Sequence, residues 1–208
     1  MLVYSNEAFE LGKQVIDRIA KNMEKEDQSI SSITHLVWVS CTGMVSPGVE
    51  TMLLQSFNFQ KNIQTTAFNF LGCHGFFHAL RYADGVVKGN AKARVLIVCG
   101  ELCTLHFQPL WHTDQLLANA IFGDAAAGLV VTSAPFGANS VEIMQQSQAY
   151  FHEKADAMSW NLGETGFDMR LSQDLPTHLE HVARQALDTL LELTAYSKEE
   201  VRHWLFHP

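Results

Sequence analysis

The sequence predicts an α/β fold on a mixed or parallel sheet. Three observations predict it. Short apolar runs alternate with segments of helical periodicity along the chain. Val95-Leu96-Ile97-Val98-Cys99 is apolar without a break, as in a strand covered on both faces. The run ending at Leu71 reaches a tight Gly72-Cys73 turn and passes straight into a helix.

Each element follows in order. Residues 5–24 carry Ala8, Leu11, Val15, Ile16 and Ile19 at helical spacing, then a polar stretch runs through Ser32. Ile33–Val39 reads as a strand, followed by Ser40-Cys41-Thr42-Gly43 and a Pro47-Gly48 turn. Val49–Phe57 is a short helix, and Ile63–Leu71 is the strand that delivers Cys73. After Gly75 the positions Phe76, Leu80, Ala83 and Val87 share one helical face, and Phe77 adds a second apolar flank. A buried helix is therefore predicted, ended by Gly89-Asn90. The Val95–Cys99 strand, a helix near Asp114–Ala120 and a strand at Ala125–Thr132 complete this part.

Ser133-Ala134-Pro135-Phe136-Gly137 is the convincing boundary. A strand near Val141–Gln146, an irregular polar stretch around Trp160–Gly163 and a long helix near Pro176–Leu193 are predicted beyond it. Ser197-Lys198-Glu199-Glu200 has the form of a capping box opening a brief helix. The last residues, Trp204–Pro208, read as a hydrophobic strand.

Bulk properties exclude several classes. At 208 residues, with 47% hydrophobic and 17% charged residues, the chain has the composition of a globular domain or a piece of a larger one. A formal charge of −8 with no Lys/Arg cluster argues against nucleic-acid binding. No eighteen-residue apolar run exists, so no membrane span is expected, and the N-terminus does not read as a signal peptide. Cys41, Cys73, Cys99 and Cys103 show neither CxxC spacing nor a secreted disulfide pattern. A cytoplasmic protein with reduced thiols is the expectation.

Cys73 is the candidate nucleophile. A thiol at the mouth of a helix meets unpaired N–H groups and the positive end of the dipole, which lower its pKa. A packed core thiol is the alternative reading. A thiolate also needs a base or cationic partner, which can come from far along the chain. Among ten histidines, His207 stands out because it ends an apolar run; a hydrogen-bonded core histidine is the other reading. His74 and His78 lie four apart, but no third ligand sits at fitting spacing and no metal is expected. Glu101 reads as an internal hydrogen-bond acceptor and Asp124 as a residue that fixes its turn. The Gly123–Gly128 stretch lacks the Gly-Lys-Ser/Thr ending of a phosphate loop.

Together these segments resemble the type III polyketide synthases, the chalcone and stilbene synthase-like family, in the form common among bacterial members. Ile33-Thr34-His35-Leu36 with Cys41-Thr42-Gly43 and Pro47-Gly48 is similar to its "ITHL…TG…PG" segment. Leu71-Gly72-Cys73-His74-Gly75 is similar to its nucleophile turn, and Arg94–Glu101 to its "RVLVV-x-x-E" strand. Ala120-Ile121-Phe122-Gly123-Asp124 resembles "ALFGDG", and Trp204–Pro208 the start of "W-x-x-HPGG". Five motifs stand in the family's order.

The resemblance implies a thiolase-like layered α/β fold with mixed sheets, incomplete at both ends. Residues 1–134 would be the N-terminal half without its first elements, and 135–208 the first part of the C-terminal half. It implies Cys73 as acyl acceptor, His207 as catalytic histidine, and coenzyme A thioesters (an acyl-CoA and malonyl-CoA) as substrates with no bound cofactor. A homodimer is implied as well. Phe122 falls on one gatekeeping phenylalanine and Met169 on the other, a departure that would alter pocket width. Cys41, Cys103, Leu105 and His106 would line the substrate cavity. Ala125 replaces a usual glycine, and His74-Gly75-Phe76-Phe77 replaces a small-residue run. The family's downstream catalytic asparagine has no counterpart here. Decarboxylative condensation through a Cys73 acyl-enzyme is therefore expected to be crippled in this length of chain. Other readings are a non-catalytic fragment binding acyl-CoA or a partner subunit, an initiating ketoacyl synthase, and a cysteine hydrolase.

Overall fold

The computed structural model describes residues 2–135, 137, 139–150, 157–163 and 166–207. In order these are α1 (Leu2–Glu24), β1 (His35–Ser40), α2 (Val49–Ser56), β2 (Gln64–Asn69), α3 (Gly75–Gly89), β3 (Arg94–Leu102), α4 (Thr113–Ile121), β4 (Asp124–Thr132), β5 (Met158–Leu162), β6 (Phe167–Leu171) and α5 (Leu175–Thr194). Short 3-10 turns lie at Ile30–Ser32, Cys103–His106 and Lys198–Glu200. The chain forms two compact units, Met1–Val141 and Glu142–Pro208. No helix among the described residues is long and apolar enough to cross a membrane.

The first unit is built on a mixed sheet of order β2-β1-β3-β4. β1 pairs in parallel with both β2 and β3, and β4 runs antiparallel to β3. Central β1 is buried at all six positions, which its apolar run required. Polar β2 takes one edge. At the start of the sheet Thr34 locks the register: its hydroxyl donates to the Arg94 carbonyl at 3.0 Å and accepts the Arg94 N–H at 2.8 Å. The Arg94 guanidinium then ties down the preceding turn through Gln28 and Ser32.

Side chains alternate across a strand, so the two faces of β1 and β3 meet different helices. Leu36, Trp38, Leu96 and Val98 pack with Ile16 of α1 and with Val49 and Leu53 of α2. The Trp38 indole is held between two glycines. A Cβ on Gly12 of α1 would lie 3.1 Å from the ring, and one on Gly100 of β3 only 2.5 Å. The opposite face receives α3, where Gly75 sits against Val39.

The structure corrects the predicted character of α3. Its buried line is Gly75, Ala79, Ala83 and Val87, while Phe76 and Leu80 are half-buried and Phe77 is 53% exposed. The helix docks along a narrow stripe of small residues instead of being enclosed. Small side chains let the helix backbone approach the sheet, and the phenylalanines are left at the flanks.

In the second unit β5 and β6 pair antiparallel, with Trp160 opposite Met169. The Trp160 and Phe167 rings stack diagonally across the pair at 5.5 Å. The stretch expected to be irregular at Trp160–Gly163 is thus mostly strand, because a partner supplies the ladder that its polar composition did not advertise. The strand expected at Val141–Gln146 is absent and Val141 is 91% exposed. Trp204–His207 is likewise not a strand; Trp204 and Phe206 stack on each other, and no ladder forms. Apolar composition does not make a strand where no neighbour accepts its N–H groups. The capping box is present, with the Ser197 N–H donating to Glu200 at 2.7 Å.

Gly100→Ala is expected to destabilise the first unit by about 1–3 kcal/mol through overpacking against Trp38, read as a lowered denaturant midpoint. His35 is buried, and burial lowers its imidazole pKa. The stability this neutral histidine supports is complete above its unfolded pKa of about 6.5 and is lost as pH falls through the lower folded value. The melting temperature should therefore drop between pH 7.5 and 5, and less steeply in His35→Gln.

Candidate active site

The carboxyl ends of the parallel strands β1, β2 and β3 lie together where the connection from β1 runs one way to β2 and the next, through α3, crosses back over β1 to β3, a reversal at which α/β sheets commonly bind ligands. Three strand ends carry the candidate residues there.

From β2 the chain makes the turn that carries Cys73, the candidate nucleophile. Phe70 has φ 56° and Gly72 φ 74°, two left-handed residues within three. For a phenylalanine that conformation is costly, and such strain concentrates at functional turns. The Gly75 N–H donates back to the Gly72 carbonyl at 3.0 Å, which closes the turn and starts α3. Cys73 is left exposed at the bend. His74 and His78 follow on the helix with ring centroids 4.9 Å apart.

From β3 comes Glu101. Its two carboxylate oxygens accept the Cys41 N–H at 2.9 and 3.0 Å. One oxygen also accepts the Thr42 hydroxyl at 2.7 Å. Thr42 in turn accepts the Leu102 N–H at 2.8 Å, so a single buried hydroxyl bridges the ends of β1 and β3. The Cys41 thiol donates to the Gly72 carbonyl at 3.2 Å. His106 reaches the Thr42 carbonyl through Nε2 at 2.6 Å, which anchors the 3-10 turn that carries Cys103 and Leu105. Asp124, at the start of β4, holds the same turn through the Thr104 N–H at 2.8 Å and the Thr104 hydroxyl at 2.5 Å. Both acidic residues therefore act as acceptors that fix turns.

The electrostatics differ from the sequence expectation. Burial raises the Glu101 pKa, against the lowering effect of its bonds to Thr42 and Cys41. Loss of solvent, then the Glu101 charge, raises the Cys73 pKa instead of lowering it. A backbone hydrogen bond at Cys73 itself acts the other way but is the smallest of the three causes. The same two causes raise Cys41, push Cys99 up to about 12, and push Cys103 up to about 11.

Cys41, Cys73, Cys103 and His106 thus gather around Glu101 in the first unit. Leu105 shares the 3-10 turn, and half-buried Phe122 caps α4 two residues before Asp124. Met169 is buried on β6 and His207 is exposed beyond the last 3-10 turn, both in the second unit. Sequence reasoning missed the part played by Thr42 and by Tyr4. The Tyr4 ring packs on Gly43, and its buried hydroxyl lies by Ser40 and Trp38 without closing a hydrogen bond. The cue for Thr42 was a threonine between a strand end and a glycine; Tyr4, in the first helix, left none.

Comparison with known proteins bears on this geometry. The family profile described as chalcone and stilbene synthases, N-terminal domain, matches residues 3–135. A relative named probable polyketide synthase 1, from Dictyostelium discoideum, is 30% identical over 162 residues, which cover 77% of this chain and 5% of that protein. The crystal structure of the C-terminal type III polyketide synthase domain of Steely1, a type I/III hybrid from Dictyostelium, superposes with a TM-score of 0.84 at 26% identity. That match covers 95% of this chain and 54% of the solved one. The chain therefore spans about half of that domain and shares its thiolase-like fold.

Thr42→Val keeps the shape but removes the hydroxyl. It should leave the buried Leu102 N–H without its acceptor and lower stability by about 1–3 kcal/mol in chemical denaturation.

Proposed function

Because the chain belongs to the chalcone and stilbene synthase family, we propose that it carries the acyl-accepting half of a type III polyketide synthase. The exposed Cys73 at a strained strand-to-helix bend is the observation that carries this reading. A thiol there is open to a long, flexible thioester substrate.

The chemistry follows from the residue types. The Cys73 thiolate attacks the carbonyl carbon of an acyl-CoA; the carbon–sulfur bond to coenzyme A breaks, and the coenzyme leaves as a thiolate that takes up a proton. Malonyl-CoA then loses carbon dioxide, and the electron pair of the broken bond becomes an enolate. The enolate carbon attacks the Cys73 thioester, forms a carbon–carbon bond and releases the Cys73 thiolate. No resident cofactor enters these steps.

Burial and then the Glu101 charge raise the Cys73 pKa, so a second group that draws the proton away would assist the attack. We assign that role to His207, which would also donate a hydrogen bond to the enolate oxygen. Cys103, Leu105 and His106 on one turn, with Cys41 and Phe122 beside it, would shape the acyl cavity, and the family resemblance gives Met169 a gatekeeping role. The family's chemistry also suggests a homodimer working in the cytoplasm, a setting that suits free thiols.

The test is mass spectrometry after incubation with hexanoyl-CoA. Wild type should gain one hexanoyl group on Cys73, and Cys73→Ala none. His207→Ala should acylate roughly a hundredfold more slowly. Equal acylation of wild type and Cys73→Ala would remove the nucleophile assignment.

A further inference from the structure

Glu101 does not need to touch a substrate to matter. Its carboxylate binds the Cys41 N–H with both oxygens and the Thr42 hydroxyl with one. Cys41 is thereby held in one place at the end of β1, and its thiol reaches across to the Gly72 carbonyl. Gly72 is the left-handed residue immediately before Cys73, and the same carbonyl receives the Gly75 N–H that opens α3. One chain of bonds thus runs from β3 to β1 to the nucleophile turn.

We propose that Glu101 and Cys41 form a positioning relay for Cys73: the carboxylate fixes Cys41, and the Cys41 thiol fixes the Gly72 peptide on which the Cys73 side chain is aimed. The proposal rests on the reading of Cys73 as the acyl acceptor. The relay spans three strand ends, so the nucleophile is referenced to the sheet and not only to its own loop. Burial and the Glu101 charge raise the Cys41 pKa, so Cys41 keeps the proton it donates. The titratable groups around the carboxylate are Tyr4 from α1, Cys41, Cys73, Cys99 on β3 and Cys103, which itself feels Asp124. Negative charge at Glu101 disfavours the thiolate at all four cysteines. The relay therefore trades some nucleophile acidity for a fixed turn.

The test uses the full chain with Cys41→Ala, Cys41→Ser and Glu101→Gln. Two readouts are followed by mass spectrometry: hexanoyl transfer from hexanoyl-CoA to Cys73, and alkylation of Cys73 by iodoacetamide against pH. Cys41→Ala should slow hexanoyl transfer roughly ten- to hundredfold, the scale of a small misplacement of a reacting atom. Cys41→Ser, which keeps a donor for the Gly72 carbonyl, should recover most of the rate. Glu101→Gln should slow transfer in the wild-type background, add little to Cys41→Ala, and move the alkylation profile to lower pH. A merely structural role would not produce that last change. Transfer at the wild-type rate in Cys41→Ala, or no recovery in Cys41→Ser, overturns the relay. If Glu101→Gln does not fold, the two Cys41 variants decide the matter. Should wild type accept no hexanoyl group while iodoacetamide still labels Cys73, the acyl-acceptor reading fails separately. The relay is then judged by alkylation, and identical rates and profiles in all variants overturn it.

Discussion

A carboxylate withdrawn from water on β3 needs donors on every side that water would have occupied. Glu101 finds them at the end of β1, in the Cys41 N–H and the Thr42 hydroxyl. Those bonds set where β1 stops and where the following turns begin. Thr42 joins the two strand ends, His106 pins the next turn to the Thr42 carbonyl, and Cys41 reaches the Gly72 carbonyl in the turn that carries Cys73. The geometry of the candidate site thus descends from one half-buried carboxylate and the polar groups that meet it.

The sheet makes such a hub possible. β1 is covered on one face by α1 and α2 and on the other by α3, so the packed layers fix where its end lies. Close approach is arranged with small residues on both sides: Gly12 and Gly100 around Trp38, and Gly75, Ala79 and Ala83 along α3. Larger side chains at these positions would force the helices away from the sheet. Packing and chemistry are therefore coupled, since the line of residues that docks α3 begins two positions after Cys73.

The site also shows a division of labour. Its own surroundings disfavour the Cys73 thiolate, which is the reverse of a thiol activated by a helix terminus alone. A thiol whose ionisation is disfavoured is less open to idle alkylation and oxidation, because the thiolate is the reactive form. Under the proposed function the group that takes the proton from Cys73 is His207.

Local pattern was enough for much of this protein. The periods of α1, α3, α4 and α5, the buried runs of β1 and β3, the Gly72-Cys73 bend and the family motifs were all legible in the residues themselves, because helical period, unbroken apolarity and glycine turns are properties of neighbours in the chain. Tertiary structure decided the rest. Whether Trp160–Leu162 or Val141–Gln146 became a strand depended on which of them found a partner. Which face of α3 was buried depended on how closely the sheet could be approached, and Phe77 lost to Ala79. The acidity of Cys73 depended on its desolvation in the fold and then on the charge of Glu101, 28 residues away in sequence, neither of which a local pattern around the cysteine encodes. Fields and ladders act through space, and only the folded chain brings their sources together.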